Sequence, residues 1–282
     1  MVEKNQVPFV LTIAGSDSGG GAGIQADLRT FTSLGVYGSS VITAITAQNP
    51  NEVRHVEMMS QEVVKHQVET VLDLFPIKYV KTGMLGNKDI INYVAKVVKE
   101  RNLTLVVDPV MVSTSGVELL EKSAITSMKN SLLPVASFVT PNIPEASLLC
   151  NKKLDTFKDI IKAATFINNQ YNCTVILKGG HLLKNNCATD IVCHKGDCFA
   201  VTSPVVELQG NASHGTGCTF SSALLGNLAL GNDCLDAIVK AKAFVYGSLV
   251  ENVSLNDTLC QMYPPKKSYQ DKISFIDCTS LI

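Results

Sequence analysis

Residues 213–219 read Ser-His-Gly-Thr-Gly-Cys-Thr and stand directly before an apolar segment, 220–225, that is typical of a buried helix. The first backbone N–H groups of an α-helix have no intrahelical partner, and the helix dipole adds partial positive charge at this end. We therefore expect the N–H groups of residues 215–218 to stabilise negative charge that develops during a reaction. A helix cap that carries a buried structural cysteine is the alternative.

The chemistry of this segment centres on Cys218. A positive field at a helix N-terminus lowers the pKa of a thiol, and a thiolate can take a proton from an attacking hydroxyl group. We therefore expect the Cys218 thiol to have a lowered pKa and to act as a general base.

Carboxylate and ammonium groups follow other predicted strands. Asp108 ends one strand, Glu145 follows Asn142 beyond the next, and Lys178 leaves a third before two glycines. Mg²⁺ is commonly held by one or two carboxylates together with water and substrate phosphates, and lysine binds phosphate as a point charge. Asp108 and Glu145 therefore suit a magnesium site. Glu145 also suits the first turn of a helix, where the dipole alone stabilises a carboxylate, and both readings stay open.

A glycine-rich turn, residues 15–23, separates the first predicted strand from the first helix. Its N–H groups suit an anion or a closely approaching ligand, although the turn lacks the Lys-Ser/Thr ending of a P-loop and the full Gly-x-Gly-x-x-Gly fingerprint. A tight turn without a ligand is the alternative. Asp27, one turn into the helix, either reaches a ligand or stays solvated. His181 and His214 are each either a ligand contact or an exposed polar residue, and the sequence does not decide between these roles.

These motifs must be positioned by alternating strands and helices. Strands are predicted at 9–13, 40–45, 79–83, 104–108, 138–140 and 174–178, and helices at 26–34, 62–75, 88–101, 123–133, 157–170, 216–230 and 234–253. Repeated βα units predict an α/β fold in which a mainly parallel sheet lies between two layers of helices. A hairpin over 190–206 is expected at the sheet edge. Ligands bind at the carboxyl ends of such strands, where all the motifs fall.

Composition excludes several functional classes. The chain has 282 residues, 17% of them charged, and a formal net charge of −1, so it lacks the basic excess that nucleic acid or an anionic membrane attracts. No secretory signal and no membrane-spanning apolar run is recognised, so we expect a cytoplasmic protein. Without a linker or repeat, one domain is expected over 1–261, with 262–282 as a C-terminal extension. Nine cysteines lack a repeated spacing, and we expect Cys193 and Cys198, which face each other across the hairpin, to remain thiols.

Taken together, the motifs resemble the ribokinase-like superfamily, and most closely its hydroxymethylpyrimidine/phosphomethylpyrimidine kinase branch. Seven ordered segments carry the resemblance: 14–27, 46–49 (Thr-Ala-Gln-Asn), 81–85 (Lys-Thr-Gly-Met-Leu), 107–111 (Val-Asp-Pro-Val-Met), 140–145 (Thr-Pro-Asn-Ile-Pro-Glu), 177–181 (Leu-Lys-Gly-Gly-His) and 213–219. Two departures are Ser213, where threonine is usual, and the extension 262–282, which has no counterpart in the pattern.

The resemblance implies an αβα sandwich that transfers the γ-phosphoryl group of ATP with Mg²⁺, and it allows for a monovalent cation and a homodimer. The implied substrates are 4-amino-5-hydroxymethyl-2-methylpyrimidine and then its monophosphate. By similarity, the anion hole and the base are formed by Gly215, Thr216, Gly217 and Cys218. The residues expected to contact the pyrimidine are Gly15, Asp27, Thr46, Gln48 and Met84. Phosphate is expected to be bound by Lys178, Asn142 and His214, and the metal ion by Asp108 and Glu145.

Two alternative functions remain. Pyridoxal kinases of the same superfamily share the cysteine-type anion hole. That branch is recognised by a cysteine directly after the segment Asp-Pro-Val-Met-Val. Here Ser113 follows Val112, which favours the pyrimidine substrate. A non-catalytic ligand-binding protein on the same fold is the other alternative, since fold alone does not establish function. The joint presence of Asp108, Glu145, Lys178 and Cys218 argues against it.

Overall fold

The structure is a computed structural model that describes residues 7–111, 122–180, 186–207, 213–256 and 259–279. The strands in this part of the chain are β1 (Phe9–Asp17), β2 (Tyr37–Asn49), β3 (Glu52–Met58), β4 (Tyr79–Thr82), β5 (Thr104–Val107), β6 (Phe138–Val139), β7 (Thr174–Lys178), β8 (Cys187–His194), β9 (Asp197–Pro204), β10 (Val253–Asn256), β11 (Leu259–Gln261) and β12 (Ser274–Asp277). The α-helices are α1 (Gly23–Ser33), α2 (Gln61–Leu74), α3 (Lys88–Arg101), α4 (Lys122–Ser127), α5 (Ile143–Cys150), α6 (Phe157–Tyr171), α7 (Thr216–Ala229) and α8 (Cys234–Val250). A π-helical turn (Met128–Leu132) and two 3₁₀ turns (Leu133–Val135 and Gln270–Lys272) complete the helical elements of the described residues.

Ten strands form one sheet in the order β12-β9-β8-β7-β6-β5-β4-β1-β2-β3. The strands β1, β2, β4, β5, β6 and β7 are parallel to their neighbours among themselves, while β3, β8, β9 and β12 pair antiparallel. The predicted α/β fold with a mainly parallel sheet is therefore confirmed. The hairpin is β8–β9, but its predicted position at the sheet edge is wrong, because β12 lies outside it.

Strand residues are buried on both faces of the sheet, which explains their nearly continuous apolar runs. Leu11 and Val107 point to one face, where they pack with α2, α3 and α6. Their neighbours Val10 and Val106 point to the other face, where they pack with α1, α7 and α8. The two apolar clusters make the molecule a three-layer αβα sandwich.

The C-terminal segment, for which the sequence predicted no structure, joins the sheet. Strand β12 pairs with β9 through the register Ser274↔Thr202 to Asp277↔Phe199, so it lies outside the β8–β9 hairpin. Before it, Tyr269 packs against Tyr246 of α8 with ring centroids 5.6 Å apart. Short segments such as β12 and β3 have too few residues for a clear alternation of polar and apolar side chains, and we did not expect them from the sequence.

The expectation that Cys193 and Cys198 remain thiols is wrong. The two residues are direct partners in the β8–β9 register, with Cα atoms 4.4 Å apart, and their sulfur atoms form a disulfide. The other seven cysteines are free. Among the described residues, no helix combines the length and the apolar character needed to cross a membrane.

Candidate active site

A cavity of about 590 Å³ opens at the carboxyl ends of the parallel strands. The predicted site residues that line it are Gly15, Thr46, Gln48, Met84, Asp108, Asn142, Glu145, Lys178, His214, Gly215, Thr216, Gly217 and Cys218. Thus segments that are far apart in the sequence meet here, as their common position after strands predicted. Asp27 is absent from this lining.

The N-terminus of α7 forms one wall of the cavity. Gly215 is its N-cap residue and has a left-handed backbone with φ of 84°, a conformation that glycine adopts without strain. The N–H group of Thr216 donates to the Ser213 carbonyl at 3.2 Å, so this group is used within the turn. Within the described residues, the N–H groups of Gly217 and Cys218 have no protein acceptor. Of the four N–H groups that the sequence suggested, that of Thr216 is thus occupied, and those of Gly217 and Cys218 are available to hold an anion.

Cys218 lies in the first turn of α7 and is partly accessible. Burial raises the pKa of its thiol to about 11; Lys81 lowers that pKa, while Asp27 and Asp108 raise it further. The expected lowered pKa is therefore wrong, because the loss of hydration and two nearby carboxylates outweigh the helix terminus. The thiol is protonated at neutral pH before a ligand binds.

Asp108 and Lys178 form an ion pair at the junction between α7 and the sheet. The Lys178 Nζ atom lies 2.8 Å from Oδ1 of Asp108, which also accepts from the Thr140 hydroxyl at 3.2 Å. Burial lowers the pKa of Lys178, but Asp108 and Glu145 raise it more, so the ammonium group stays charged. A Cβ atom added to Gly217 would stand 3.0 Å from Lys178 Nζ, so this charge lies directly beside the N-terminus of α7.

Glu145 has the structural role that the sequence left open, and it also lines the cavity. Its carboxylate accepts the Asn142 N–H at 2.8 Å and Asn142 Oδ1 accepts the Glu145 N–H at 2.9 Å, which is a capping box at the start of α5. Burial raises the pKa of Glu145 to about 7; Lys178 lowers this pKa and Asp108 raises it.

The carboxylates of Asp108 and Glu145 fit a magnesium ion in chemical type. They are hard oxygen donors, and each disfavours the charge of the other, which a divalent cation relieves. In the described part of the chain, no three His, Cys, Asp or Glu side chains are grouped as a metal site. A cation here needs ligands from water or from the phosphates of a substrate.

Asp27 does not contact the cavity, which corrects the expectation that it borders the substrate. Its side chain is completely buried, and Lys81 Nζ lies 2.9 Å and 2.8 Å from its two oxygens. Thr12 and Ser222 donate hydroxyl hydrogen bonds to the same carboxylate at 2.6 Å and 2.7 Å. The helical position of Asp27 gave no sign of this, because the partners lie on β1, β4 and α7.

The glycine-rich turn binds a carboxylate of its own chain. Asp17 accepts N–H groups from Gly19, Gly21 and Ala22 at 2.8–3.1 Å, in the manner of an Asx turn that continues into α1. Burial raises the pKa of Asp17, but the His214 hydrogen bond and the Ala22 and Gly19 N–H groups lower it more, so the net pKa is below its usual value. The N–H groups of Gly19, Gly21 and Ala22 are therefore occupied within the turn and do not hold an external anion, while Gly15 at its start lines the cavity.

His214 joins this turn to the N-terminus of α7. Its Nε2 atom lies 3.0 Å from Oδ2 of Asp17 and 3.2 Å from Nε2 of Gln48. The side chain is buried, so the alternative of an exposed polar residue is wrong. His181 lies outside the described residues. Asp17 was not predicted as a site residue, although an aspartate two positions before a run of glycines is a turn signal that identifies it.

A second cavity of about 200 Å³ adjoins the first and shares Lys178, Gly180, Ser213 and Thr216 with it. Its other walls come from β8, from β9 and the residues after it, and from α7 and α8, with side chains such as Pro204, Phe220, Lys242, Val245, Tyr246 and Leu249. Most of these side chains follow the ordinary apolar pattern of their elements, so the sequence predicted no function for them. The larger cavity and this smaller one meet at the N-terminus of α7.

Comparisons with known proteins agree with this arrangement. The sequence profile of the phosphomethylpyrimidine kinase family matches residues 17–262. A hydroxymethylpyrimidine/phosphomethylpyrimidine kinase of Rhizobium meliloti is 43% identical over 242 residues, which cover 86% of this chain and 90% of that protein.

Two solved structures are similar over most of the chain. Pyridoxal kinase from Staphylococcus aureus in complex with ADP has a TM-score of 0.87 and 34% identity, and the match covers 97% of this chain and 100% of that one. Phosphomethylpyrimidine kinase from Clostridium difficile has a TM-score of 0.74 and 40% identity, with 86% and 98% covered. Of these two structures, the phosphomethylpyrimidine kinase has the higher sequence identity and the pyridoxal kinase has the higher TM-score.

Proposed function

Because the chain belongs to the phosphomethylpyrimidine kinase family, we propose that it transfers the γ-phosphoryl group of ATP to 4-amino-5-hydroxymethyl-2-methylpyrimidine. The same site then phosphorylates the monophosphate to the diphosphate, as the names of the relatives indicate for those proteins. The protein is thus a kinase of thiamine biosynthesis.

The observation that carries the proposal is the junction of the two cavities at the N-terminus of α7. The larger cavity accepts the pyrimidine and the smaller one the nucleotide, so the transferred group passes between them beside Lys178 and Thr216, which line both. Phosphoryl transfer depends mainly on positioning and on stabilising charge. A helix N-terminus and a lysine at the point of transfer supply both.

The residues around the junction have separate tasks in this proposal. The N–H groups of Gly217 and Cys218 hold the oxygens of the transferred group, and Lys178 neutralises its charge. Asn142 and His214 contact phosphate. His214 does so from the part of the cavity wall where it lies beside Asp17. The thiolate form of Cys218, which the charge of Lys81 favours, accepts the proton of the substrate hydroxyl in the first reaction. Mg²⁺, held by Asp108 and Glu145, supplies further charge neutralisation for the phosphates when bound.

The pyrimidine ring lies against Gly15, Thr46, Gln48 and Met84 in this proposal. Gln48 has an amide donor and a carbonyl acceptor for an aminopyrimidine edge. Its Oε1 atom accepts the Thr46 hydroxyl at 3.2 Å, and its Nε2 atom faces His214, so the amide is oriented before a substrate binds. Gly15 has no side chain, and a Cβ there would lie 3.4 Å from the Met84 sulfur, which leaves room for a flat ring.

A product assay tests the proposal. Purified protein is incubated with ATP, Mg²⁺ and the hydroxymethylpyrimidine, and products are followed by mass spectrometry over time. We expect the monophosphate first and then the diphosphate. If neither the hydroxymethylpyrimidine nor its monophosphate is phosphorylated while pyridoxal is, the pyrimidine assignment is overturned. A lack of turnover with all three substrates contradicts the kinase assignment at this site.

Pyridoxal phosphorylation is the second candidate, because the pyridoxal kinase structures have the higher TM-scores, 0.87 against 0.74. Two observations favour the pyrimidine. The relative from Clostridium difficile has the higher identity, 40% against 34%. Ser113, where the pyridoxal branch has a cysteine, lies outside the described residues, and the sequence alone supplies this argument. The ratio of kcat/KM for the two substrates distinguishes the candidates.

We further propose that the protein acts as a cytoplasmic homodimer and that a monovalent cation assists phosphate binding. These proposals rest on the resemblance to the superfamily. Residues 1–261 are proposed as one kinase domain, with 262–282 as an extension that reinforces it through β12. Light scattering after size-exclusion chromatography tests the dimer, and turnover in potassium, sodium and cation-poor buffers tests the monovalent ion.

A further inference from the structure

Lys81 and Asp27 form an ion pair with no solvent exposure behind the wall of the larger cavity. Removing two charges from water is unfavourable, and the attraction between them often only offsets that loss. A buried ion pair is therefore weak evidence for a stabilising role. The reactive groups that each end of the pair faces indicate whether it has another role. Each end of this pair has a distinct set of neighbours.

The ammonium end faces the cavity. A Cβ atom on Gly83 would stand 3.1 Å from Lys81 Nζ, and Gly83 itself lines the cavity. Because Gly83 has no side chain, little more than its backbone separates the Lys81 ammonium group from the cavity. The carboxylate end faces α7, where Ser222 donates to Asp27 at 2.7 Å. Ser222 lies four residues after Cys218 and so on the same face of the helix.

We propose that Lys81 is a positioning residue that stabilises the thiolate of Cys218, and that Asp27 keeps Lys81 charged and in place. The inference rests on the proposed function, since it supplies the charge that a thiol base at this position needs. In the reaction, the thiolate takes the proton of the substrate hydroxyl, the hydroxyl oxygen forms the new bond to the γ-phosphorus of ATP, and the bond from that phosphorus to the β–γ bridging oxygen breaks, so that ADP leaves.

The electrostatics around the two residues support this arrangement. Burial lowers the pKa of Lys81, but Asp27, Cys218 and Asp108 raise it by more, so Lys81 remains an ammonium ion. Apart from burial, Lys81 is the strongest influence on the pKa of the Cys218 thiol and lowers it, whereas Asp27 and Asp108 raise it. The influence of Lys81 on the sulfur exceeds that of Asp27, so the pair as a whole favours the thiolate, and the charge of Lys178 interacts with the same thiolate.

The test is the rate at which iodoacetamide alkylates Cys218 in the protein without substrate. Because seven cysteines are free, the Cys218 peptide is quantified by mass spectrometry after digestion. The variant is Lys81→Met with Asp27→Asn, which removes both charges and keeps similar side-chain volumes. Each unit of increase in thiol pKa lowers the thiolate fraction tenfold and raises its nucleophilicity about threefold, so alkylation slows about threefold. We expect a decrease of about threefold or more at pH 8.

The matched control is Lys242→Met with Asp190→Asn. This pair is almost as buried, with Nζ and Oδ2 2.7 Å apart, but it connects β8 to α8. We expect no change in Cys218 alkylation. An equal decrease in both double variants, or an unchanged rate in the folded Lys81→Met, Asp27→Asn protein, overturns the proposal.

If the double variant does not fold, Lys81→Gln decides the question, because it removes the charge that lowers the Cys218 pKa and keeps an amide donor for Asp27. Slower alkylation supports the proposal and an unchanged or faster rate overturns it. The assay needs no substrate, so its result is independent of whether the wild-type protein phosphorylates the pyrimidine. Failure of the proposed function is seen separately, in the product assay.

Discussion

His214 Nε2 lies 3.0 Å from Asp17 Oδ2, although 197 positions separate the two residues in the sequence. Asp17 holds the glycine-rich turn through three N–H groups, and His214 stands directly before the N-cap of α7. The contact therefore joins the turn that borders the proposed substrate space to the helix end that holds phosphate. The His214–Asp17 contact therefore helps to set the distance between the glycine-rich turn and the N-terminus of α7.

Asp17→Asn tests this contact. The charged oxygens of Asp17 accept hydrogen bonds from buried donors, and losing such bonds lowers stability by about 1.5–3 kcal/mol each at most. We expect a total loss of about 2–4 kcal/mol from chemical unfolding, since Asn retains one acceptor oxygen. Asp197→Asn, at an exposed hairpin position, is the control and should change little.

The effect of Asp17 must depend on pH. Its folded-state pKa lies below the usual 3.8, so its stabilising contribution is complete above that value and is lost as pH falls through the lower folded pKa. The difference in unfolding free energy between wild type and Asp17→Asn should therefore shrink below about pH 4. A difference that stays constant down to pH 2 contradicts the assignment.

Glu145 predicts the opposite trend. Burial raises its pKa from 4.5 to about 7, so the folded protein binds an extra proton between these values, and stability falls as pH rises through that window. Glu145→Gln should reduce this fall, because glutamine has no proton to lose. Unfolding in urea at pH 4.5, 6 and 8 measures it. Equal slopes in the two proteins count against the raised pKa.

Cys218→Ala separates the two reactions. The first substrate presents a neutral hydroxyl group and the second an already ionised phosphate, so only the first needs a base. General base catalysis contributes about 10²–10⁴-fold, and we expect a loss of that order in the first step and a small loss in the second. Cys234→Ala is the control, since Cys234 lies near Thr174 at the opposite end of β7. Equal losses in both steps exclude a role chiefly as a base.

Lys178→Met removes the charge at the junction of the cavities. Loss of one donor to a developing charge lowers kcat about 10²–10³-fold, and we expect this in both reactions. Asp108 is then left buried without its cation, so the melting temperature should fall as well. Lys195→Met, in the exposed turn of the hairpin, is the control. A melting shift with full turnover shows that Lys178 is structural only.

Gly215→Ala tests the geometry at the start of α7. A left-handed backbone is unfavourable for alanine by about 1–2 kcal/mol, and the new Cβ would also overlap the Gly21 carbonyl oxygen. Gly231→Ala is a matched control, because Gly231 has φ of 87° but no atoms within 4 Å of its Cβ position. We expect Gly215→Ala to lose clearly more stability than Gly231→Ala, and to lose phosphorylation. Equal losses show that backbone strain alone is responsible.

Much of the architecture follows from local sequence patterns. Apolar runs and 3.6-residue periodicity identified β1, β4, β5, β7 and the helices α2, α3, α6, α7 and α8, because these elements bury whole faces and the sequence records it. Strands β3 and β12 were missed, since four to seven partly exposed residues carry little periodic signal. The Cys193–Cys198 disulfide depended on the exact register of a hairpin, which composition does not fix.

For the site, the sequence by itself determined which residues stand at the carboxyl ends of strands and hence which ones approach the cavity. Only the tertiary structure decided which of them face a ligand and which face each other. Asp27 turned to Lys81 and Asp17 to His214, 54 and 197 positions away, whereas Glu145 lines the cavity while it caps its own helix. The physical reason is that a buried charge takes its partner from whatever element packs against it, and that packing arises only when the layers assemble.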